Sequence, residues 1–310
     1  MSDIKIYSVQ REIGEVIKGK DEIIEKVLAT IFAGGHVLLD DIPGVGKTTL
    51  ATALAKATSM EYRRVQFTPD VLPSDIVGFT LLNQENNTFE YRQGSIFTNL
   101  FLADEINRTS PKTQSALLEV MEEGQVTVDG ITRPLPNPFI VIATENPIGS
   151  SGTQLLPDSQ LDRFMVCLSM GYPKHQDTIE ILRGVTAPPI NDVRSILTVE
   201  ELLYIRSLAA DIFVSDSILD YITSLVEATR TSDYIALGSS PRGAINLLKL
   251  SKAIALMHNH NYVLPEDIEY IFCDVLRHRI RLGSKAKAEG LSADEVLTKL
   301  FHSIPVPKGK

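Results

Sequence analysis

Short apolar runs recur through the first 190 positions, separated by stretches with helical spacing. The runs at 36–39, 64–67, 99–103, 139–144 and 164–168 are four to six residues long. Runs of that length without alternation read as strands buried on both faces, as in a parallel sheet. Between the third and fourth runs, Ala116, Leu117, Val120 and Met121 fall on one helical face. Ser110 is placed to cap that helix, Pro111 suits its first turn, and Gly124 ends it. Two segments follow a period of two instead. One is 79–91, with a turn-rich centre at Gln84-Glu85-Asn86-Asn87. The other is 125–133, where Val126, Val128 and Ile131 surround Asp129-Gly130, a strong hairpin signal. They are either surface decorations or projections towards a partner.

After Pro188-Pro189-Ile190-Asn191-Asp192, a linker-like stretch, only helical spacing remains. Thr198 and Glu201 form a capping-box pair ahead of Leu202, Ile205 and Ala209. Ile218, Tyr221, Ile222, Leu225 and Val226 repeat the period. Ala244, Leu247 and Leu248 do so again, and a last helix follows Pro265. The tail from Pro305 is expected to fray. The pattern predicts an α/β core over 1–192 and a small all-α domain over 193–310.

Composition narrows the function classes. The chain has 310 residues, 44% hydrophobic and 22% charged, as a packed core requires. Its formal net charge of -9 argues against nucleic-acid binding driven by phosphate neutralisation. Cys167 and Cys273 sit in apolar settings without a CxxC pattern and read as reduced core residues. No apolar run approaches membrane-spanning length, and Met1-Ser2-Asp3-Ile4-Lys5 lacks a signal-peptide core. A cytoplasmic protein with no membrane insertion is expected.

The chemistry starts where the first apolar run ends. Pro43-Gly44-Val45-Gly46-Lys47-Thr48-Thr49 joins that run to a helical stretch containing Leu50, Ala51, Leu54 and Ala55. A strand, a glycine-rich turn and a helix make a phosphate cradle, because backbone N–H groups and the helix N-terminus converge on anionic oxygens. Lys47 would reach the β- and γ-phosphates, and the Thr48 hydroxyl would hold Mg2+. Asp41 stands where the full P-loop pattern has a glycine. The run 99–103 leads into Asp104-Glu105, two carboxylates costly to bury without a cation or hydrogen-bond partners. Beside a P-loop, Asp104 would hold Mg2+ and Glu105 would orient the attacking water.

Three further residues could sense the γ-phosphate. Asn146 follows the strand at 139–144 and either bonds the phosphate or attacking water, or is a turn residue before Pro147. Arg163, in Gln160-Leu161-Asp162-Arg163-Phe164, is either a surface arginine paired with Asp162 or a finger offered to a neighbouring subunit. Arg242, in Ser239-Ser240-Pro241-Arg242-Gly243, places a cation at a helix N-terminus, where the dipole disfavours it.

These motifs, in order, resemble those of MoxR-type AAA+ ATPases. The shared stretches include Gln66-Phe67-Thr68-Pro69-Asp70 with Pro73-Ser74-Asp75, and Ala103-Asp104-Glu105-Ile106-Asn107-Arg108. Pro111 to Glu119, Ala143-Thr144-Glu145-Asn146-Pro147, Leu156-Pro157-Asp158 and Ser240-Pro241-Arg242 extend the likeness over nearly the whole chain. The resemblance implies an AAA+ P-loop core with a five-stranded parallel sheet, followed by a helical lid. It implies ATP and Mg2+ as ligands, Asn146 as sensor 1, Arg163 as the arginine finger and Arg242 as sensor 2, in cis or in trans. Val16, Ile17 and Gly19 resemble the segment around the adenine. The segment 79–91 resembles the helix-2 insert, and 125–133 the hairpin before sensor 1. Arg108 is either a further trans arginine or a surface residue. The resemblance also implies a hexameric ring with a von Willebrand factor A-domain partner, acting in chaperone-like remodelling or metal insertion.

Three functions remain compatible with these residues. The first is ATP hydrolysis at a subunit interface that drives remodelling of a partner. The second is an ATP-gated binding module with little turnover. The third is a DNA-dependent motor, which the acidic balance disfavours.

Overall fold

In the computed structural model, residues 2–41, 44–145, 156–172, 175–182 and 190–307 are described. A five-stranded parallel sheet is built from β1 (Val37–Asp40), β2 (Tyr62–Gln66), β5 (Leu100–Asp104), β8 (Ile140–Glu145) and β9 (Val166–Leu168), in the order β2-β5-β8-β1-β9. All five expected strands form, shifted by one or two residues. The start of β9 moves by two residues, and β2 begins two residues earlier than expected, at Tyr62. It is an edge strand and tolerates exposed Arg63 and Arg64, so an apolar run alone could not mark its start. In the central strands, successive residues enter opposite layers. Val37, Leu39, Leu100, Leu102, Ile140 and Ile142 pack on one side, and Leu38, Phe101, Ala103, Val141 and Ala143 on the other.

The first layer holds α1 (Ser2–Val16), α2 (Asp21–Phe32) and α3 (Lys47–Ala57). Helices α1 and α2 were not among the expected elements. They bury Ile6, Val9, Ile13, Ile24, Val27 and Leu28. The second layer holds α5 (Pro111–Glu123). Ser110 caps it by accepting the Thr113 N–H at 3.3 Å, and Gly124 ends it at φ +63°. Both expected hairpins form. One pairs β3 (Gly78–Asn83) with β4 (Thr88–Gln93) after the short α4 (Pro73–Val77). The other pairs β6 (Gln125–Val128) with β7 (Ile131–Pro134). They touch through the Arg133 guanidinium, 3.7 Å from the Tyr91 ring centre.

After α6 (Asp158–Leu161) and α7 (His175–Leu182) the helical part follows. It comprises α8 (Val199–Asp211), α9 (Asp216–Thr231), α10 (Pro241–Met257), α11 (Pro265–Leu276), α12 (Ser284–Ala288) and α13 (Ala293–Ser303). The expected capping box is present, with Thr198 Oγ1 accepting Glu201 N–H at 3.2 Å and Glu201 accepting Thr198 N–H at 3.1 Å. The helix after Pro265 is not the last, because Ser292 and Glu295 form a second box that starts α13. A short ribbon also pairs β10 (Ile235–Leu237) with β11 (Arg281–Leu282).

Two buried cations join these helices to the α/β part. Lys26 on α2 pairs with Asp274 on α11 at 2.7 Å. Arg279 donates to Asp162 Oδ1 at 2.9 Å and to main-chain carbonyls of Asp162, Phe164 and Met165. Among the described residues, no helix is long and apolar enough to cross a membrane. Cys167 and Cys273 are both free thiols.

His36, at the entry to β1, is fixed as a neutral ring. Its Nδ1 accepts the Val141 N–H at 3.0 Å and its Nε2 donates to the Met121 carbonyl at 3.1 Å. Burial pushes its pKa down to about 4. The unfolded chain therefore takes up this proton first, so the contribution is complete above pH 6.5 and is lost as pH falls towards 4. Urea titrations across this range should show wild type losing roughly 2 kcal/mol that His36→Asn does not lose. Equal pH slopes for the two proteins would refute that account.

Candidate nucleotide site

The sheet ends its strands in charge. β1 runs into Asp40-Asp41, β5 into Asp104-Glu105 and β8 into Glu145. Beyond β1, Gly44 and Gly46 have φ of +85° and +97°, a region that L side chains rarely enter. Gly46 is the N-cap of α3 and supplies no side chain to its N–H groups, and the first turn carries no acidic residue. The positive end of that helix is thus open to an anion. A Cβ at Gly44 would meet nothing within 4 Å, so the loop borders open space. A cavity of about 370 Å³ lies there, lined by Gly44, Gly46, Lys47, Thr48 and Thr49 together with Asp104 and Glu105. The two motifs, 57 residues apart in sequence at Lys47 and Asp104, share one chamber.

Lys47 Nζ donates to the main-chain carbonyls of Asp41, at 2.6 Å, and Glu145, at 3.1 Å. Burial lowers its pKa. Asp104 Oδ1 accepts from Thr144 Oγ1 at 2.6 Å, and that hydroxyl accepts the Glu105 N–H at 2.8 Å. Thr144 thereby fixes both acids from β8. Glu105 holds φ +56°, and its Oε2 accepts from Arg108 Nη1 at 2.6 Å. Asp104 Oδ2 accepts from Arg64 on β2. Glu145 is pushed up to about 7 by burial, with Asp40 adding to the effect. The hydroxyl of Thr48 and the carboxylate of Asp104 are hard oxygen donors, the set Mg2+ takes when phosphates complete its shell.

Asp41 does not obstruct this cradle. Its Oδ2 accepts from Gly171 N at 2.6 Å and Ser169 Oγ at 3.1 Å, which turns the carboxylate towards the exit of β9. Ile17 is buried, with its Cδ1 4.0 Å from the Cβ position of Gly46, and Val16 packs against the same core. Gly19, at φ +69°, makes the turn between α1 and α2. Pro43 and Asn146 lie outside the described residues.

Arg163 and Arg242 are not in this chamber. They line a separate cavity of about 310 Å³ with Gly34, Gly35 and His36 at the entry to β1, whereas the glycine loop leaves the other end of that strand. Glu122, at the end of α5, pairs with both: Oε2 with Arg163 Nη2 at 3.3 Å and Oε1 with Arg242 Nη2 at 2.6 Å. Asp162 pairs with Arg242 and Arg279, not with Arg163.

Residues 36–166 match the family model described as "ATPase family associated with various cellular activities (AAA)", and residues 227–300 match that of the AAA lid domain. Chaperone MoxR1 of Mycobacterium tuberculosis is 37% identical over 98% of this chain and 84% of its own length. The chain belongs to the MoxR family of AAA+ ATPases. YeaC of Bacillus subtilis is 46% identical over 95% of the chain and 92% of its own length. A crystal structure from Cytophaga hutchinsonii, described as that of a candidate ATPase, superposes with a TM-score of 0.90 at 40% identity, covering 99% of this chain and 96% of that one.

Within this MoxR-family chain, sequence reading passed over Arg64, Thr144 and Glu122. Thr144 carried a signal, since it ends the run that aligns beside 99–103. Arg64 and Glu122 carried none, because their contacts depend on strand register and on how α5 meets α10. The account of Asp41 predicts that Asp41→Gly lowers unfolding free energy by about 2 kcal/mol, by stranding the Gly171 N–H, yet keeps nucleotide binding. Loss of binding in a folded Asp41→Gly protein would show that the carboxylate serves the cradle directly.

Proposed function

We propose that this MoxR-family chain hydrolyses ATP with Mg2+ at the interfaces of a hexameric ring, and couples turnover to chaperone-like remodelling, activation or metal insertion in a protein client. A von Willebrand factor A-domain protein is the expected partner class. The observation that carries the reading is the placement of two half-sites at opposite ends of β1. The P-loop chamber with Asp104 and Glu105 lies at one end, and the Arg163–Arg242 cluster at the other. A protomer so arranged lacks an arginine in its own chamber from that cluster and presents it to a neighbour. We assign both Arg163 and Arg242 to the neighbour's nucleotide, since one carboxylate, Glu122, holds the pair together.

In this reading residues 1–192 form the nucleotide-binding core and 193–310 the lid. The Gly44–Gly46 amides and Lys47 hold the phosphates, Val16, Ile17 and Gly19 border the adenine, and Asn146 serves as sensor 1. Thr48 and Asp104 hold Mg2+, which would neutralise charge on the β- and γ-phosphate oxygens. Glu105 accepts a hydrogen bond from the attacking water and orients it. MoxR1 is named a chaperone, and that name supports a client-directed role here.

Glu105→Gln should bind ATP with unchanged affinity and turn over about a hundredfold more slowly. Unchanged turnover would remove Glu105 from the mechanism. Arg163→Ala should lose turnover by about a thousandfold. Mixing it with Lys47→Ala should restore part of that activity, because each variant supplies the half the other lacks. Full activity of Arg163→Ala alone would exclude a trans arginine. Turnover per subunit in wild type should rise with protein concentration, alongside a rise in molar mass measured by light scattering with Mg-ATP.

A further inference from the structure

A third cavity lies where α2 meets α8 and α10. Its volume is about 250 Å³, and Phe32, Ala209 and Leu248 give it apolar walls. Three cations line it, Arg206 from α8 and Lys249 and Lys252 from α10, and no acidic residue does. Among the described residues, none of the three pairs with a carboxylate. Lys249 stands between this cavity and that of Arg163 and Arg242 and lines both, whereas Arg206 and Lys252 line only this one of the two. Lys252 lies ten residues beyond Arg242 on α10, about 15 Å along its axis. Main-chain carbonyls hold two of the cations in place. Arg206 Nη2 donates to the Ile31 carbonyl at 3.0 Å and Lys252 Nζ to the Ala210 carbonyl at 2.6 Å, each in the last turn of its helix. A helix C-terminus favours a cation, which explains where these two stand. It does not balance them, because three like charges around one small cavity still repel one another. Arg206 also keeps a buried Nε with no hydrogen-bond partner among the described residues. Burial lowers its pKa, with no carboxylate opposing the shift. A guanidinium left in this condition is costly.

We propose that this cavity is a binding site for a small phosphate monoester, with its phosphate among Arg206, Lys249 and Lys252 and its carbon body against Phe32, Ala209 and Leu248. A phosphate monoester carries close to two negative charges at neutral pH, which suits three cations better than the single charge of a carboxylate. Arginine meets such a group with paired N–H donors, and lysine meets it as a point charge. The apolar walls select an esterified phosphate over the bare ion. The cavity is smaller than the roughly 300–1,000 Å³ of pockets for drug-sized ligands, so the carbon body is short. Its walls come from α2 on one side and from α8 and α10 on the other, so an occupant ties the α/β part to the helical part. The site shares no residue with the P-loop chamber and does not depend on what that chamber holds.

The test is calorimetric titration with phenyl phosphate, inorganic phosphate and benzoate, with Mg-ADP present throughout to occupy the P-loop chamber and thermal melting to check folding. Wild type should bind phenyl phosphate about tenfold more tightly than inorganic phosphate, which lacks the apolar body, or benzoate, which lacks the second charge. Arg206→Ala and Lys252→Ala should each weaken phenyl phosphate binding by about tenfold. Arg206→Lys should recover part of that loss, because charge is kept and the paired donors are not. Arg163→Ala should leave the affinity unchanged. If Arg206→Ala melts early, Lys252→Glu takes its place and should abolish binding, since it sets an acid among the cations. Absence of phenyl phosphate binding by wild type, or binding that survives Lys252→Glu, would overturn the site. Loss of binding in Arg163→Ala would overturn it too, by moving the ligand to the other cavity. Benzoate binding as tightly as phenyl phosphate would overturn the assignment of the ligand as a phosphate.

Discussion

Negative charge crowded at one end of the sheet is the constraint to which the rest of this molecule answers. Asp40, Asp41, Asp104, Glu105 and Glu145 close three parallel strands that lie side by side. Carboxylates so close to one another and to an apolar core are costly unless each finds a donor or keeps its proton. Each solution is visible. Asp41 turns to the Gly171 N–H, Asp104 takes Thr144 and Arg64, and Glu105 takes Arg108. For Asp40 and Glu145, burial raises the pKa, so protonation is the easier exit. Lys47 is buried among them. A site prepared in this way already holds the charges that a metal and a phosphate chain would neutralise.

At the entry end of the strands the signs reverse. Arg163, Arg242 and Lys249 line the second cavity, with Glu122 as the carboxylate among them. Glu122 shares its two oxygens between the arginines, and Asp162 gives Arg242 a second carboxylate. The sheet acts as a spacer between an acidic end and a basic end.

Much of this was legible in the sequence, for identifiable reasons. Buried parallel strands leave uninterrupted apolar runs, and all five were placed. Ser110, Gly124 and the Thr198–Glu201 pair act on their own neighbours along the chain, so their effect can be read locally. The glycine loop and the acid pair are contiguous motifs. What escaped depends on contacts between distant segments. Arg64 matters only because β2 lies beside β5, and Glu122 only because α5 ends near Arg163 and Arg242. Asp41 looked like a defect in a motif until the residues after β9 showed what its carboxylate holds. Helices α1 and α2 lie outside the expected elements, although Ile6, Val9 and Ile13 carry a helical stripe.

Helix α5 draws these parts into one object. Its 13 residues form a rod about 20 Å long. The rod begins just beyond Arg108, the partner of Glu105, and ends at Glu122, which grips the two arginines. Immediately beyond Gly124 the chain becomes β6, whose hairpin is locked to its neighbour by Arg133 and Tyr91. A hydrogen-bonded helix does not shorten or stretch under small loads. A displacement at the acid end therefore arrives, with its magnitude kept, at the arginine end and at the root of both hairpins. Glu105, the Arg163–Arg242 pair and the two hairpins cannot be set independently.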